Sequence, residues 1–201
     1  MPAVKLTKNE LKKQKDALKR FRRYLPTLVL KKQQLQMVIR QLESRLAEET
    51  RKRKERIDGA APWLELFVEA FPFQDWLKVK NVGTESANIA GVEIPVFKSI
   101  DFATASHDLF LTPPWVDEAL SLFAGLARLD VEIGLLHRQV TLLEAELRVT
   151  SQRVNLFEKV KIPQALESIR KIQIFLGDQQ TAAVVTGKTA KRNLLRREEA
   201  S

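Results

Sequence analysis

Four consecutive residues near the C-terminus, Thr186-Gly187-Lys188-Thr189, are the residue types that end a phosphate-binding loop. The complete motif needs another glycine five residues before Gly187 and a preceding buried strand, so that backbone N–H groups surround the phosphates. Position 182 is Ala182, and the preceding segment has a helical pattern. We therefore predict no nucleotide-binding site there.

Residues that ligate metals or act as acids, bases and nucleophiles are few or scattered. The chain has no cysteine, and its two histidines, His107 and His137, are far apart without a second ligand at metal-binding spacing. Paired acids such as Glu48-Glu49 fall on solvated faces of predicted helices. We predict no catalytic residues, no metal ligands and no cofactor, and the missing cysteines favour a reducing, cytoplasmic setting.

The charge balance is basic, with 34 Lys and Arg against 25 Asp and Glu and a net charge of +9. Anionic partners such as nucleic acid, a membrane surface or an acidic protein fit this balance, and so does a merely solvated helix surface. No apolar run approaches the ~20 residues of a membrane span, and the N-terminus is charged where a signal peptide needs an apolar region.

A regular apolar stripe dominates the C-terminal half. Its members recur at alternating spacings of four and three residues, which is the period of a left-handed coiled coil. The stripe consists of Leu122, Leu126, Leu129, Ile133, Leu136, Val140, Leu143, Leu147, Thr150, Val154 and Phe157.

The N-terminal half carries a matching stripe, so the chain contains its own partner helix. Thr7 and Glu10 predict a capping box at its start. Two such helices joined by a compact segment fold back antiparallel. We call the two stripes together the seam. The N-terminal stripe consists of Leu11, Gln14, Leu18, Phe21, Leu25, Leu28, Lys32, Leu35, Ile39, Leu42 and Leu46.

Two prolines interrupt these helices. Pro26 predicts a kink, because the seam keeps its register on both sides. Pro163 predicts a bend or a restart, since the residue before a proline disfavours helical geometry. Beyond Gly177 the chain is polar and basic, and we expect fraying there.

The segment between the helices has a different composition. Pro62 can open a short helix that reaches Ala70, and alternating residues predict a β-hairpin near 76–98, with a loop between Gly83 and Gly91. Lys78 and Lys80 are its candidate contacts with another subunit. We expect the hairpin to lie outside the seam and its loop to be removable without unfolding the helices.

These observations predict an all-α dominated fold, a long antiparallel two-helix coiled coil with a small insertion that carries a short helix and a β-hairpin. The predicted segments are an N-terminal coiled-coil helix at 1–58, the insertion at 59–114, a C-terminal coiled-coil helix at 115–176 and a basic tail at 177–201, all within one structural unit.

Three segments resemble the D subunits of the V-type and archaeal-type rotary ATPases. They are LTKNELKKQKDALKRF near the start, Ala90 to Pro95, and a motif that ends at Pro163. The resemblance covers the whole chain in order. The motif residues are Arg153, Val154, Asn155, Glu158, Val160, Ile162 and Pro163.

The resemblance implies a non-catalytic rotor shaft in the central stalk of an ATP-driven or ATP-forming machine that moves protons or sodium ions. It implies the F subunit, the A and B subunits of the catalytic ring, and the socket subunit above the membrane ring as partners. The chain would lie in the cytoplasm, at the periphery of the membrane. It would neither bind nucleic acid nor insert into the membrane.

Two other interpretations remain open at this point. A prefoldin-like chaperone also joins coiled-coil helices through hairpin structure, but it would not explain the motif around Pro163. A basic coiled coil that binds nucleic acid would lose affinity steeply with added salt.

Overall fold

The computed structural model describes residues 5–62, 76–104, 112–113 and 115–198. The elements are helix α1 (Lys8–Ala60), strands β1 (Leu77–Ile89) and β2 (Val92–Thr104), helix α2 (Trp115–Leu156), a π-helical turn (Phe157–Lys161) and helix α3 (Ile162–Glu198). Long N-terminal and C-terminal helices with a central hairpin confirm the predicted fold class. The short helix predicted from Pro62 to Ala70 lies almost entirely outside the described residues.

Helix α1 begins where its capping residues predict. The Glu10 N–H donates to the Thr7 hydroxyl at 3.3 Å, and the Leu11 N–H donates to the Thr7 carbonyl at 3.0 Å. The helix passes through Pro26 without ending. It also passes Asp58 and Gly59 and ends at Ala60, slightly later than predicted.

The hairpin is longer than predicted, and its loop is shorter. β1 and β2 pair antiparallel from Leu77↔Thr104 to Ile89↔Val92, so the predicted loop from Gly83 to Gly91 is wrong. Only Ala90 and Gly91 form the turn, with φ of 52° and 81°. Positive φ at both positions is the geometry of a type I′ hairpin turn, and glycine adopts it without steric cost at the second position.

Two compact units divide the chain. The terminal unit comprises Met1–Leu30 and Thr150–Ser201, and the central unit comprises Lys31–Val149. Within the central unit, Lys31 pairs with Glu146 and Arg53 pairs with Asp130. Because the partner number falls as the α1 number rises, α1 and α2 run antiparallel there.

The core of the central unit joins both helices and the hairpin. Leu35 and Leu143 have no exposed side-chain surface, and Ile94 of β2 is 2% exposed. These three residues and Ile39 form one apolar cluster. The expectation that the hairpin lies outside the seam is therefore wrong, because its tip packs onto seam residues of both helices.

The C-terminal segment, for which the sequence predicts fraying, is helical. Helix α3 continues to Glu198, while the described side chains from Gly177 to Arg196 are exposed. Alanine, glutamine, lysine, leucine and arginine, which are strong helix formers, are frequent there. The apolar pattern predicts the point where side-chain burial ends. The helix continues beyond that point because many of its residues have high helix propensity.

Candidate interaction site

The seam residues are buried or half-buried along both helices. In the terminal unit the Phe21 and Phe157 rings lie 5.4 Å apart between centroids. In the central unit Leu35, Ile39 and Leu143 belong to the shared apolar cluster. The other predicted seam members with this placement are Leu11, Gln14, Leu18, Leu25, Leu28, Lys32, Leu42, Leu46, Leu122, Leu126, Leu129, Ile133, Leu136, Val140, Leu147, Thr150 and Val154.

Gln139 links the hairpin to helix α2. Its side-chain amide donates to the Pro95 carbonyl, and the residue is only 5% exposed. In an antiparallel strand the N and C=O groups of one residue point to the same side. Pro95 has no N–H to donate to β1, so its nitrogen can face away from that strand. Its carbonyl then also faces away from β1 and towards α2, where the Gln139 amide is its donor.

Sequence reasoning did not identify Gln139. The available signal was its position, three residues after Leu136 and four before Leu143, which places it on the same helix face as two seam leucines. A polar residue at such a position needs a hydrogen-bond partner when it is buried. Its partner is a backbone carbonyl that no residue-type pattern reveals.

A charged residue supports the hairpin at a second point. The Arg128 guanidinium lies 5.5 Å from the centroid of the Phe97 ring and also donates to Glu132 at 3.0 Å. A cation over an aromatic face contributes about 0.5–1 kcal/mol at an exposed site.

Lys78 and Lys80, which the sequence predicts as contacts of the hairpin with another subunit, are exposed on β1.

The basic run at the end of α1 is largely engaged within the protein. Arg51 pairs with Glu55, Lys52 with Glu48 and Arg53 with Asp130 of α2. The hydrogen bond from Lys52 lowers the pKa of Glu48, and the bonds to Glu49 and Glu48 raise the pKa of Lys52. These are ordinary effects of helix-surface ion pairs.

The motif residues lie around the π-turn in the terminal unit. Val154 is buried and Ile162 is half-buried, whereas Arg153, Asn155, Glu158, Val160 and Pro163 are exposed. At the end of the turn the Ile162 N–H donates to the Phe157 carbonyl, five residues earlier. The predicted bend or restart at Pro163 thus takes the form of one wide helical turn within a continuous helix.

The residues considered for chemistry show no arrangement typical of an active site. Thr186-Gly187-Lys188-Thr189 lies inside α3, and the Thr186 hydroxyl donates to the Ala182 carbonyl at 2.9 Å. His137 is exposed on α2, whereas His107 lies outside the described residues. In the part of the chain that the structure describes, there is no group of three or more potential metal ligands.

None of the helices, over the residues that the structure describes, combines the length and apolar character needed to cross a membrane. The two compact units contain instead paired helices with a buried seam and many exposed charges. Together with the docked hairpin, these features define the class of coiled-coil proteins that carry a β-hairpin insertion.

Comparison with known proteins identifies the family. A family model that describes the D subunit of ATP synthase matches residues 10–192, and the chain therefore belongs to the family of ATP synthase D subunits. The V-type ATP synthase D subunit of Borreliella burgdorferi is 52% identical over 197 residues, which cover 98% of each chain. The corresponding protein of Chlamydia abortus is 36% identical over 98% of this chain and 97% of its own.

Proposed function

We propose that this chain is the non-catalytic rotor shaft in the central stalk of a V-type ATP synthase. It would couple ATP hydrolysis or synthesis in a ring of A and B subunits to rotation, and rotation to movement of protons or sodium ions. The observation that carries the proposal is family membership over nearly the whole chain. This membership replaces the chaperone and nucleic-acid interpretations.

The physical properties of the helix pair support this role. Within each unit apolar seam residues are buried or half-buried, while many charged side chains are exposed. A shaft with unequal faces can favour different conformations of identical neighbours as it turns, provided that its contacts with those conformations differ. No catalytic group is required of such a shaft.

The partners in this proposal are the F subunit, the A and B subunits, and the socket subunit above the membrane ring. The complex would place the chain at the cytoplasmic side of the membrane without inserting it. The exposed apolar side chains of α3, which include Val184 and Val185, suit contacts inside the catalytic ring.

A reversible cross-link tests rotation directly. The natural sequence has no cysteine, so Val185→Cys provides a unique thiol that can form a disulfide with a cysteine introduced into one of the A or B subunits. We expect oxidation to stop ATP hydrolysis by the reconstituted complex and reduction to restore it.

Oxidised wild-type chain in the same complex is the control for damage to the ring. A cross-linked complex that hydrolyses ATP at the full rate would exclude a rotor role. Co-purified complexes of A, B and F subunits that lack this chain would exclude its assignment to the stalk.

A further inference from the structure

The π-turn contains one residue more than the seam needs. Buried or half-buried seam positions alternate by four and three residues as far as Phe157, but the next is Ile162, five residues later. Alternation by three and four then resumes through Ala165, Ile169, Ile172 and Leu176. The extra residue is absorbed by the wide turn, because a π-turn is an α-helix with one residue inserted.

The apolar pattern explains why the turn is wide. In an uninterrupted α-helix the regular spacing would bring Lys161 and later Lys171 into the seam, where burial of a charge is costly. The π-turn instead brings Ile162 and Ile172 there, and Ile172 has no exposed side-chain surface. Removing one residue would give the same apolar contacts without the turn.

The turn deprives one main-chain acceptor of both its α-helical and its π-helical donor. The α-helical donor to the Glu158 carbonyl would be the Ile162 N–H, which bonds to Phe157 instead. The π-helical donor would be Pro163, which has no N–H. Since Glu158 is exposed, this carbonyl is open to a hydrogen-bond donor from outside the chain.

Apolar and basic side chains surround the open carbonyl. Leu156 is 44% exposed and Val160 is 38% exposed, and Lys159 and Lys161 are exposed beside them. The terminal unit holds more than half of the 34 basic residues of the chain but fewer than a third of the 25 acidic residues. A second copy of this unit would be repelled, whereas an acidic protein surface would be attracted.

We propose that the π-turn Phe157–Lys161 is a docking element for an acidic segment of a neighbouring subunit, which donates an amide N–H to the Glu158 carbonyl. An apolar side chain of that segment packs against Leu156 and Val160, and its carboxylates face Lys159 and Lys161. The inference rests on the proposed function, since the neighbour belongs to the same complex.

The matched pair of variants for the test consists of two proline-to-alanine substitutions in helices of the same unit. Pro163→Ala retains the extra residue of the π-turn but supplies the N–H that can bond to the Glu158 carbonyl from within the helix. Pro26→Ala supplies an N–H at another exposed helical position, remote in sequence from the turn. Circular dichroism and thermal unfolding of each free chain are measured first, and then the affinity of each chain for a complex of A, B and F subunits.

We expect Pro163→Ala to be at least as helical and as heat-stable as the wild-type chain, because proline is unfavourable inside a helix, but to bind at least about tenfold more weakly than Pro26→Ala, which corresponds to roughly 1.4 kcal/mol. Equal affinities of the two variants would overturn the docking element. Lower stability of Pro163→Ala would overturn it too, since the proline would then be needed for the fold. If even the wild-type chain failed to bind, the proposed function itself would fail.

A surface substitution provides a second, independent test. Val160→Asp adds a carboxylate beside the proposed acidic segment, whereas Leu30→Asp adds one at a position of the same unit that is 59% exposed. We expect the loss of affinity to be confined to Val160→Asp. Equal losses at both positions, or dimers of the free chain in sedimentation, would contradict the proposed contact.

Discussion

Leu142 and Leu143 are adjacent in sequence but lie in opposite environments. Leu143 has no exposed side-chain surface and contributes to the core of the central unit, whereas Leu142 is 37% exposed. Intrinsic helix propensity changes equally when either leucine becomes alanine, so this pair isolates the contribution of packing. The comparison therefore tests the seam at the level of a single side chain.

We expect Leu143→Ala to lower the free energy of unfolding by about 2–5 kcal/mol, because it leaves a cavity among Leu35, Ile39 and Ile94. Leu142→Ala should cost less than about 1 kcal/mol. Urea denaturation followed by circular dichroism gives both values. Equal losses for the two variants would mean that α2 faces its partner differently.

Gln139 permits a test of the bond between α2 and the hairpin. Gln139→Leu removes the donor to the Pro95 carbonyl, and a buried acceptor without a partner costs about 1–3 kcal/mol. Gln152→Leu, at an exposed position of the same helix, should change the free energy of unfolding by less than about 0.5 kcal/mol. If the two variants had the same unfolding midpoint, the Pro95 carbonyl would have another donor.

At the scale of elements, the hairpin is a structural component of the central unit. Ala87, Ile89 and Val92 pack around the same cluster as Ile94, and full burial of one such side chain contributes about 1.5–3 kcal/mol. A two-stranded hairpin is only marginally stable by itself. Contact with both helices therefore stabilises the hairpin, and the hairpin in turn covers the seam.

We expect removal of the hairpin tip to destabilise the coiled coil. Joining Thr84 to Phe97, which are paired across the strands, through an Asn-Gly turn removes Ile94 and exposes Leu35 and Leu143. Thermal unfolding should then occur at a clearly lower temperature. Replacing only Ala90 by Asn retains the strands and suits the positive φ of 52° better, so this control should match or exceed the wild-type stability.

Unchanged stability of the shortened chain would mean that the tip is dispensable, as the sequence suggested. The same measurement on Ile94→Ala, which leaves the turn intact, separates loss of packing from errors in the new turn.

A helical glycine offers a prediction in the opposite direction. Gly134 is exposed within α2, and a Cβ built there has no heavy atom within 4 Å. Gly134→Ala should therefore raise the free energy of unfolding by about 0.5–1 kcal/mol through helix propensity alone. Gly91→Ala also meets no neighbour, but its φ of 81° strains any side chain, so this variant should lose stability. Urea denaturation distinguishes the signs.

The elements were predictable to the extent that they repeat. Alternating spacings define both long helices, and Thr7 defines the start of α1. The hairpin boundaries were harder to predict, because Thr84 to Asn88 are mostly polar, although they form a strand from which Ala87 packs against the core of the central unit. Only tertiary contact reveals that packing.

The position of the π-turn is indicated by the spacing of apolar residues in the sequence. The five-residue step from Phe157 to Ile162 can be read from the amino-acid sequence once the apolar positions beyond Pro163 are aligned with those before it. By contrast, the bond from Gln139 to Pro95 joins residues that are remote in sequence. Its formation depends on how the hairpin approaches α2, which no local pattern specifies.

At the scale of the whole molecule, charge is distributed unevenly along the chain. The terminal unit is strongly basic, whereas Lys31–Val149 contains more acidic than basic residues. Such an imbalance has little influence on the fold, but it affects how fast a protein associates with charged partners. Under the proposed function, the basic unit would be attracted electrostatically to acidic surfaces of the complex.

We therefore expect the association rate of this chain with the complex of A, B and F subunits to fall as salt is added. Attraction between exposed charges is screened over roughly 8 Å at physiological ionic strength, so the rate depends on salt more strongly than dissociation does. Lys15→Glu with Lys19→Glu should slow association, whereas Lys54→Glu with Lys80→Glu in the central unit should change it much less. All four lysines are exposed, and both double variants alter net charge equally, so a difference between them must come from where the charge lies. Stopped-flow measurements at several salt concentrations supply the rates, and identical salt dependence of both variants would show that net charge, rather than the basic terminal unit, controls assembly.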